Sequence, residues 1–285
     1  MINEKELYKN VIPFLNCKDH TVSKETFEVM IHLKYDILVT SPVPVNLNEY
    51  YKSEDYISHS DSKNSLFDKV YQIVKNHTVK QKLNLLNSFQ VTEKKVLDVG
   101  AGTGGFLKKC KESNWTIFGV EPNIIARKHA ATKKIFLVDK LSSLKERQFD
   151  VITLWHVLEH VENLIEYIEN LKSLLKPNGY LVVAVPNYKS FDALYYKEYW
   201  AAFDVPRHVW HFSQKGIKKI FKSVQMNIKQ ILPMRFDAYY VSLLSEKYKK
   251  GFMNPIKAFW IGFQSNLSAK KTSEYSSLIY IIKKN

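Results

Sequence analysis

Apolar and polar positions change their period several times along this chain, and each change marks an element. Residues 1–60 carry only short alternating pieces, Phe27–Leu33 and Ile37–Thr40, before Ser41-Pro42-Val43-Pro44 stops any strand, so an irregular N-terminal extension is expected. Asp61 or Ser62 is placed as an N-cap, and helical spacing then runs to Phe89 through Leu66, Val70, Ile73, Val74, Leu83 and Leu86. Asn76-His77-Thr78 predicts a break into two helices. Val96–Val99 reads as a strand and Phe106 as the start of a helix, with a glycine-dense turn between them. Further strands are predicted at Trp115–Val120, Ile135–Val138 and Phe149–Trp155, with a short helix at Ile124–Thr132. Val161, Leu164, Ile168, Leu171 and Leu175 mark another helix, closed by Lys176-Pro177-Asn178-Gly179 before the nearly all-apolar run Tyr180–Val185. Strand and helix alternate from 96 to 187, which predicts an α/β fold with a parallel sheet covered on both faces. Ser213–Lys222 is then expected as a helix, Met226–Leu232 as a strand, 236–268 as a helical insertion and Ser276–Ile282 as the final strand.

Composition changes the fold little and the choice of partners more. With 285 residues, 45% hydrophobic and 25% charged, the chain can bury a large core as one domain with appendages. A formal net charge of +14 raises the question of nucleic acid, yet arginine occurs only at 127, 147, 207 and 235. Arginine is the residue suited to bidentate phosphate and base contacts, and the lysines are spread along the chain. A solvated surface is the plainer reading, an anionic substrate or membrane surface an alternative, and nucleic acid is disfavoured. Cys17 and Cys110 are expected as reduced thiols, and the N-terminus lacks the apolar core of a signal peptide. No apolar run approaches the roughly 20 residues of a membrane span. A cytoplasmic protein is expected.

The candidate chemistry gathers at Asp98-Val99-Gly100-Ala101-Gly102-Thr103-Gly104-Gly105. Glycines let backbone N–H groups approach a ligand closely, and Gly100-x-Gly102-x-x-Gly105 satisfies a dinucleotide fingerprint as well as other cofactor turns. Asp98 argues against NAD, because its charge would oppose a pyrophosphate and would favour an ammonium-bearing cofactor. Glu121 ends the next strand, where a carboxylate can accept two ribose hydroxyls. Near the N-terminus, Cys17, His20, His32 and Tyr35 make a poor zinc set, since one Cys and two His lack a fitting fourth ligand. No metal is assigned to them. Tyr50–His59, aromatic and polar, is read as packing or as a lid over the pocket.

Four stretches together resemble a known family: Asp-x-Gly-x-Gly-x-Gly at 98–104, Gly-Val-Glu-Pro at 119–122, Phe-Asp-Val-Ile…Leu-Glu-His-Val at 149–161 and Leu-Lys-Pro-Asn-Gly-Tyr-Leu at 175–181. They look like class I S-adenosylmethionine-dependent methyltransferases, in the branch of the ubiquinone-biosynthesis O-methyltransferases and sugar or natural-product methyltransferases. That resemblance implies a Rossmann-like sheet of seven strands with the last antiparallel, over residues 61–285, and S-adenosylmethionine as cofactor. It also implies that Gly100, Gly102 and Gly104, with Asp98 and Ala101, line the methionine end and that Glu121, beside Pro122, binds ribose. Asp139, Trp155 and His156 would border adenine and methionine. Some relatives begin with a zinc ribbon, of which residues 1–60 would be a degenerate form.

The acceptor side is expected at Phe203–Ser213, where Arg207, His208 and His211 stand close together after a strand. Methyl transfer from a sulfonium needs alignment of nucleophile and methyl, and removal of a proton if the nucleophile is a hydroxyl or amine. His208 or His211 is the expected base, with His156 as a further candidate and Arg207 as an anchor for an anionic or carbonyl group. Loop packing is the alternative for each histidine. Phe252, Ile256, Phe259, Trp260 and Phe263, flanked by lysines, would cap the pocket, pair two subunits or rest on an anionic membrane, with core or dimer packing the plainer choice. The expected function is O-methylation of a small-molecule or glycan-type acceptor. The alternatives are an NAD-dependent oxidoreductase, or a non-catalytic or RNA-binding protein on the same scaffold.

Overall fold

The computed structural model describes residues 4–51, 66–144 and 147–285. The expected lid at Tyr50–His59 and the N-cap at Asp61 or Ser62 fall mostly or wholly outside them, as do the side chains of Leu66 and Val70. After a short helix, α1 (Glu4–Leu7), the N-terminal segment is not irregular. It forms an antiparallel meander of β1 (Ile12–Lys18), β2 (Thr26–His32) and β3 (Ile37–Ser41). The alternation signal was weak because Cys17 is the only buried residue of β1, an edge strand held mainly by its ladder to β2. β3 ends at Ser41 before the two prolines, as the sequence predicts.

The break expected near Asn76-His77-Thr78 does not occur, and α2 (Leu66–Asn87) is continuous. Those residues lower helix propensity but include neither Gly nor Pro, and the packing of Val79, Leu83 and Leu86 carries the helix through. Next come β4 (Lys95–Val99), α3 (Gly105–Glu112), β5 (Thr116–Val120), α4 (Ile124–Thr132), β6 (Phe149–Trp155), α5 (Leu164–Leu174) and β7 (Leu175–Pro186). A short helix α6 (Phe191–Tyr196) leads to β8 (Trp210–Phe212), α7 (Gln214–Ser223), β9 (Met226–Pro233), α8 (Asp237–Lys250), α9 (Pro255–Thr272) and β10 (Ser277–Lys284).

The main sheet has the order β5-β4-β6-β7-β10-β9. The first four strands run parallel, and β10 lies antiparallel to both β7 and β9, so the expected antiparallel last strand is present. The seventh strand expected at Ile135–Val138 shrinks to one bridge, Val120 to Val138. Ile135 packs against Ala130 and Gly104 while Phe136 keeps 82% of its surface, so one residue alone of that segment pairs with the sheet edge. Leu181, Val182, Val183 and Ala184 are fully buried, which explains why the central strand carries no alternation. β8 joins the N-terminal meander instead of the main sheet, pairing Ile37 with Phe212 and Val39 with Trp210. The loop that carries the candidate histidines is thereby stitched to residues near the N-terminus.

Candidate active site

β4, β5 and β6 deliver their last residues to one edge of the sheet. Gly100, Gly102 and Gly104 have φ of +71°, +53° and +72°, the left-handed region that side chains with a Cβ avoid. At Gly100 a Cβ would stand 2.5 Å from Val157 Cγ2, so close packing alone requires glycine there. At Gly102 nothing lies within 4 Å of the Cβ position, and the backbone faces open space. These are the features of a turn shaped to let a ligand approach the chain.

Asp98, 3% exposed, lies beneath that turn and accepts a 2.6 Å hydrogen bond from Thr153 Oγ1. Burial pushes its carboxyl up to about 7, against the Thr153 bond and the cation of Lys82, while Glu121 adds to the rise. Lys82 comes from α2, an element no motif singled out, and its Nζ sits 4.3 Å from the centre of the Trp155 ring. Burial lowers its pKa, and Asp98 and Asp237 oppose that fall. Glu121 accepts from Gly102 N at 2.8 Å through one oxygen and from Asn123 N at 2.9 Å through the other. Each oxygen keeps a second lone pair, so the carboxylate can still receive two hydroxyls. Trp155 Nε1 is a buried donor with no partner among the described residues. Ala101 is buried under the turn, whereas Pro122 and Asp139 are exposed at its outer rim. A buried acid for an ammonium, an open glycine face, an acid with spare lone pairs and an orphaned indole N–H suit a zwitterionic nucleoside.

His156, in the left-handed region at φ +58°, sits between two acids, with Nδ1 3.3 Å from Glu159 and Nε2 3.1 Å from Asp237. Against the penalty of burial, Asp237 and Glu159 raise its pKa to about 10. It is therefore an imidazolium at neutral pH and cannot act as a base. Glu159 is 1% exposed, and its Oε2 has no hydrogen-bond partner among the described residues.

The other histidines come together. His160 and His208 stack edge to face with ring centres 4.5 Å apart, and His211 lies 6.4 Å beyond. Their partners assign the tautomers. The Ala202 carbonyl, 2.9 Å from His208 Nδ1, can only accept, so Nδ1 carries the proton and Nε2 keeps a lone pair. Thr40 Oγ1 donates its one proton to the His208 carbonyl at 2.7 Å, so it accepts from His211 Nε2, leaving Nδ1 of His211 basic. Burial, reinforced by His208, lowers His160 to about 4, and burial lowers His211 as well, which keeps both neutral. Glu159, His160 and His208 place one ligand atom each within 4.8 Å of the others, while the Tyr51 hydroxyl and the Arg207 carbonyl both lie 3.0 Å from His160 Nδ1.

Arg207 does not fill the expected anchoring role. It is 2% exposed, and its guanidinium donates to Asp19, to both oxygens of Asp204 and to the Tyr50 carbonyl. It clamps the histidine loop onto the turn that Asp19 organises in the N-terminal segment. The residues of the poor zinc set are engaged elsewhere. His20 stacks on Tyr248 at 4.4 Å, His32 Nε2 lies 3.2 Å from the Glu6 carbonyl, Tyr35 donates to Glu6, and Cys17 is a buried free thiol.

A family model described as a methyltransferase domain matches residues 71–231, more than half of the chain. The chain belongs to the methyltransferase-domain family. This removes the oxidoreductase reading of the glycine turn. A ubiquinone biosynthesis O-methyltransferase of Histophilus somni is 32% identical over 117 residues, 36% of this chain and 49% of that protein. Its counterpart from Rickettsia bellii is 28% identical over 155 residues, half of this chain and 63% of that protein. The chain thus spans about half the length of the curated relatives it matches. Among solved structures, magnesium protoporphyrin IX methyltransferase from Synechocystis PCC 6803 with bound SAH has a TM-score of 0.56 at 14% identity. That alignment covers 83% of this chain and 97% of the other, and it extends the likeness in fold well beyond the motifs.

Proposed function

We propose that this chain transfers a methyl group from S-adenosylmethionine to a hydroxyl oxygen of a small-molecule acceptor. The observation that carries the reading is the union of the open Gly102 turn, the buried Asp98 and the cluster of His160, His208 and His211. The cofactor supplies an already activated methyl carbon, so the protein's work is alignment and removal of one proton. Asp98 and the Gly100–Gly104 turn hold the amino-acid end, Glu121 takes the ribose, and Trp155 offers its indole N–H. His208 Nε2 accepts the proton of the acceptor hydroxyl, with Glu159 stabilising the imidazolium that forms. His211 is the second candidate, through Nδ1. The relatives named as O-methyltransferases support oxygen as the acceptor atom. A cytoplasmic location suits the two unpaired thiols, and among the described residues no helix is long and apolar enough to cross a membrane.

Calorimetric titration with S-adenosylmethionine, S-adenosylhomocysteine and NAD tests the cofactor. Micromolar binding of the two sulfur compounds is expected, and NAD binding without them would overturn the reading. Transfer of labelled methyl to catechol-type acceptors tests the chemistry. Loss of turnover in His208→Ala, with cofactor affinity retained, is the expected result.

A further inference from the structure

Helix α9 turns its small residues inward and its large apolar residues outward, the reverse of a helix that closes a core. Ala258, Ile261, Gly262, Ser265 and Ala269 are buried, and a Cβ at Gly262 would stand 2.7 Å from the Tyr239 ring of α8. Ile256, Phe259, Trp260, Phe263 and Leu267 are exposed, with Ile256 keeping 85% and Phe259 61% of their surface. Their spacing places them along one face, and Phe252 and Met253 extend it toward α8. The core-packing expectation for this stripe is therefore corrected. Soluble surfaces rarely leave so many large apolar groups together without an occupant.

The charges around the stripe select that occupant. From Lys247 to Ser273 the chain has no Asp or Glu and has six lysines, at 247, 249, 250, 257, 270 and 271. Lys249 and Lys250 flank one end of the stripe, and Lys270 and Lys271 the other. A twofold contact between copies would bring this lysine-rich segment against itself, with no acid between residues 247 and 273 to compensate. An anionic lipid surface complements both features, because acyl chains accept the aromatic face while headgroups accept the lysines.

We propose that α9 and the connection before it form a docking surface for an anionic lipid bilayer, with the helix lying in the interface plane. A groove of about 570 Å³ opens beside this face, between Phe263, Leu267 and Lys270 of α9 and His77 and Gln81 of α2. An adjoining cavity of about 320 Å³ shares Gln81, Arg235 and Phe236 and reaches Lys82 and Asp237, the acid that holds His156. The bound surface therefore sits at the mouth of a path toward the site. If the methyl-transfer reading holds, the acceptor is an amphipathic molecule delivered from the membrane. The docking itself does not depend on that reading.

Co-sedimentation with vesicles tests it, using the full chain with phosphatidylcholine alone and with one part in three phosphatidylglycerol, at low and high salt. Binding to the anionic vesicles is expected, at least tenfold weaker on neutral ones and weakened by salt. The double variant Phe259→Ser/Trp260→Ser should lower binding at least tenfold while circular dichroism and cofactor titration stay unchanged. Lys270→Glu and Lys271→Glu should each cost roughly fivefold. No binding to anionic vesicles would overturn the proposal. So would a lipid-independent dimer that the serine variants dissociate, since the face would then join subunits.

Discussion

Replacing Asp98 with Asn separates two consequences of one buried carboxyl. The group rises from an ordinary value of 3.8 to about 7, chiefly because burial penalises its charge. Between those pH values the native protein holds a proton that the unfolded chain has released, so stability falls as pH rises through the window. The full cost is present above about pH 7, and the rise corresponds to on the order of 4 kcal/mol. Lys82 is already counted in that balance as an opposing influence. An asparagine keeps the acceptor for Thr153 Oγ1 and removes the charge, so Asp98→Asn should be more stable than the parent by about 2–4 kcal/mol at pH 8. Near pH 3.5 the two should be alike. Urea unfolding at pH 4, 6 and 8 measures this directly. If Asp98 holds the cofactor's ammonium as proposed, the same variant should also lose cofactor affinity. In the parent, cofactor binding near pH 6 should release a proton, visible as a dependence of the titration heat on the buffer's ionisation enthalpy. A variant no more stable at pH 8, or parent binding with no proton released, would refute the argument.

Three other outcomes follow from the geometry. Gly100→Ala should destabilise the fold by about 2–4 kcal/mol, from its left-handed φ and the Val157 contact, whereas Gly102→Ala should cost only about 1–2 kcal/mol yet abolish detectable cofactor binding. Thermal unfolding and calorimetry on the pair distinguish them. Arg207→Ala leaves Asp19 buried and Asp204 half-buried without their cation and should cost about 3–5 kcal/mol by urea titration, with cofactor affinity little changed. His156 is held charged well above its usual range, so its contribution is complete below pH 6.5 and is lost as pH rises toward 10; His156→Gln should flatten that alkaline decline in stability.

The centre of the main sheet was legible because β4, β6 and the second half of β7 are buried on both faces, and because Asp98 and Glu121 mark the ends of β4 and β5. Val96–Val99 and Tyr180–Val185 needed no knowledge of their neighbours. The N-terminal sheet was not legible, since β3 pairs with β8 from the far side of the cofactor domain and no local period announces so distant a partner. At the site, Asp98 and the glycines declare themselves by spacing along one strand and turn, and Glu121 by its place at the end of the next strand. Glu159 and His160 lay inside a quoted motif, yet their meeting with His208 depends on a loop that folds back across the sheet edge. Lys82 and Asp237 had no signal beyond helical position. Arg207 misled because its residue type suits both an anion site and a buried clamp, and only the positions of Asp19 and Asp204 decide between them.

The pairing of β3 with β8 has a consequence for how such a protein can diversify. The cofactor turn is built from a short continuous stretch of chain, so it can stay fixed while other parts drift. The histidine loop takes its shape from Thr40, Asp19 and Tyr50, residues that never touch the glycine turn. On the proposed reading, in which the histidine loop faces the acceptor, changes in the first fifty positions would retune acceptor choice as a dial independent of the methyl donor. Grafting the meander of a relative, together with its own histidine loop, would be the economical way to exchange one specificity for another.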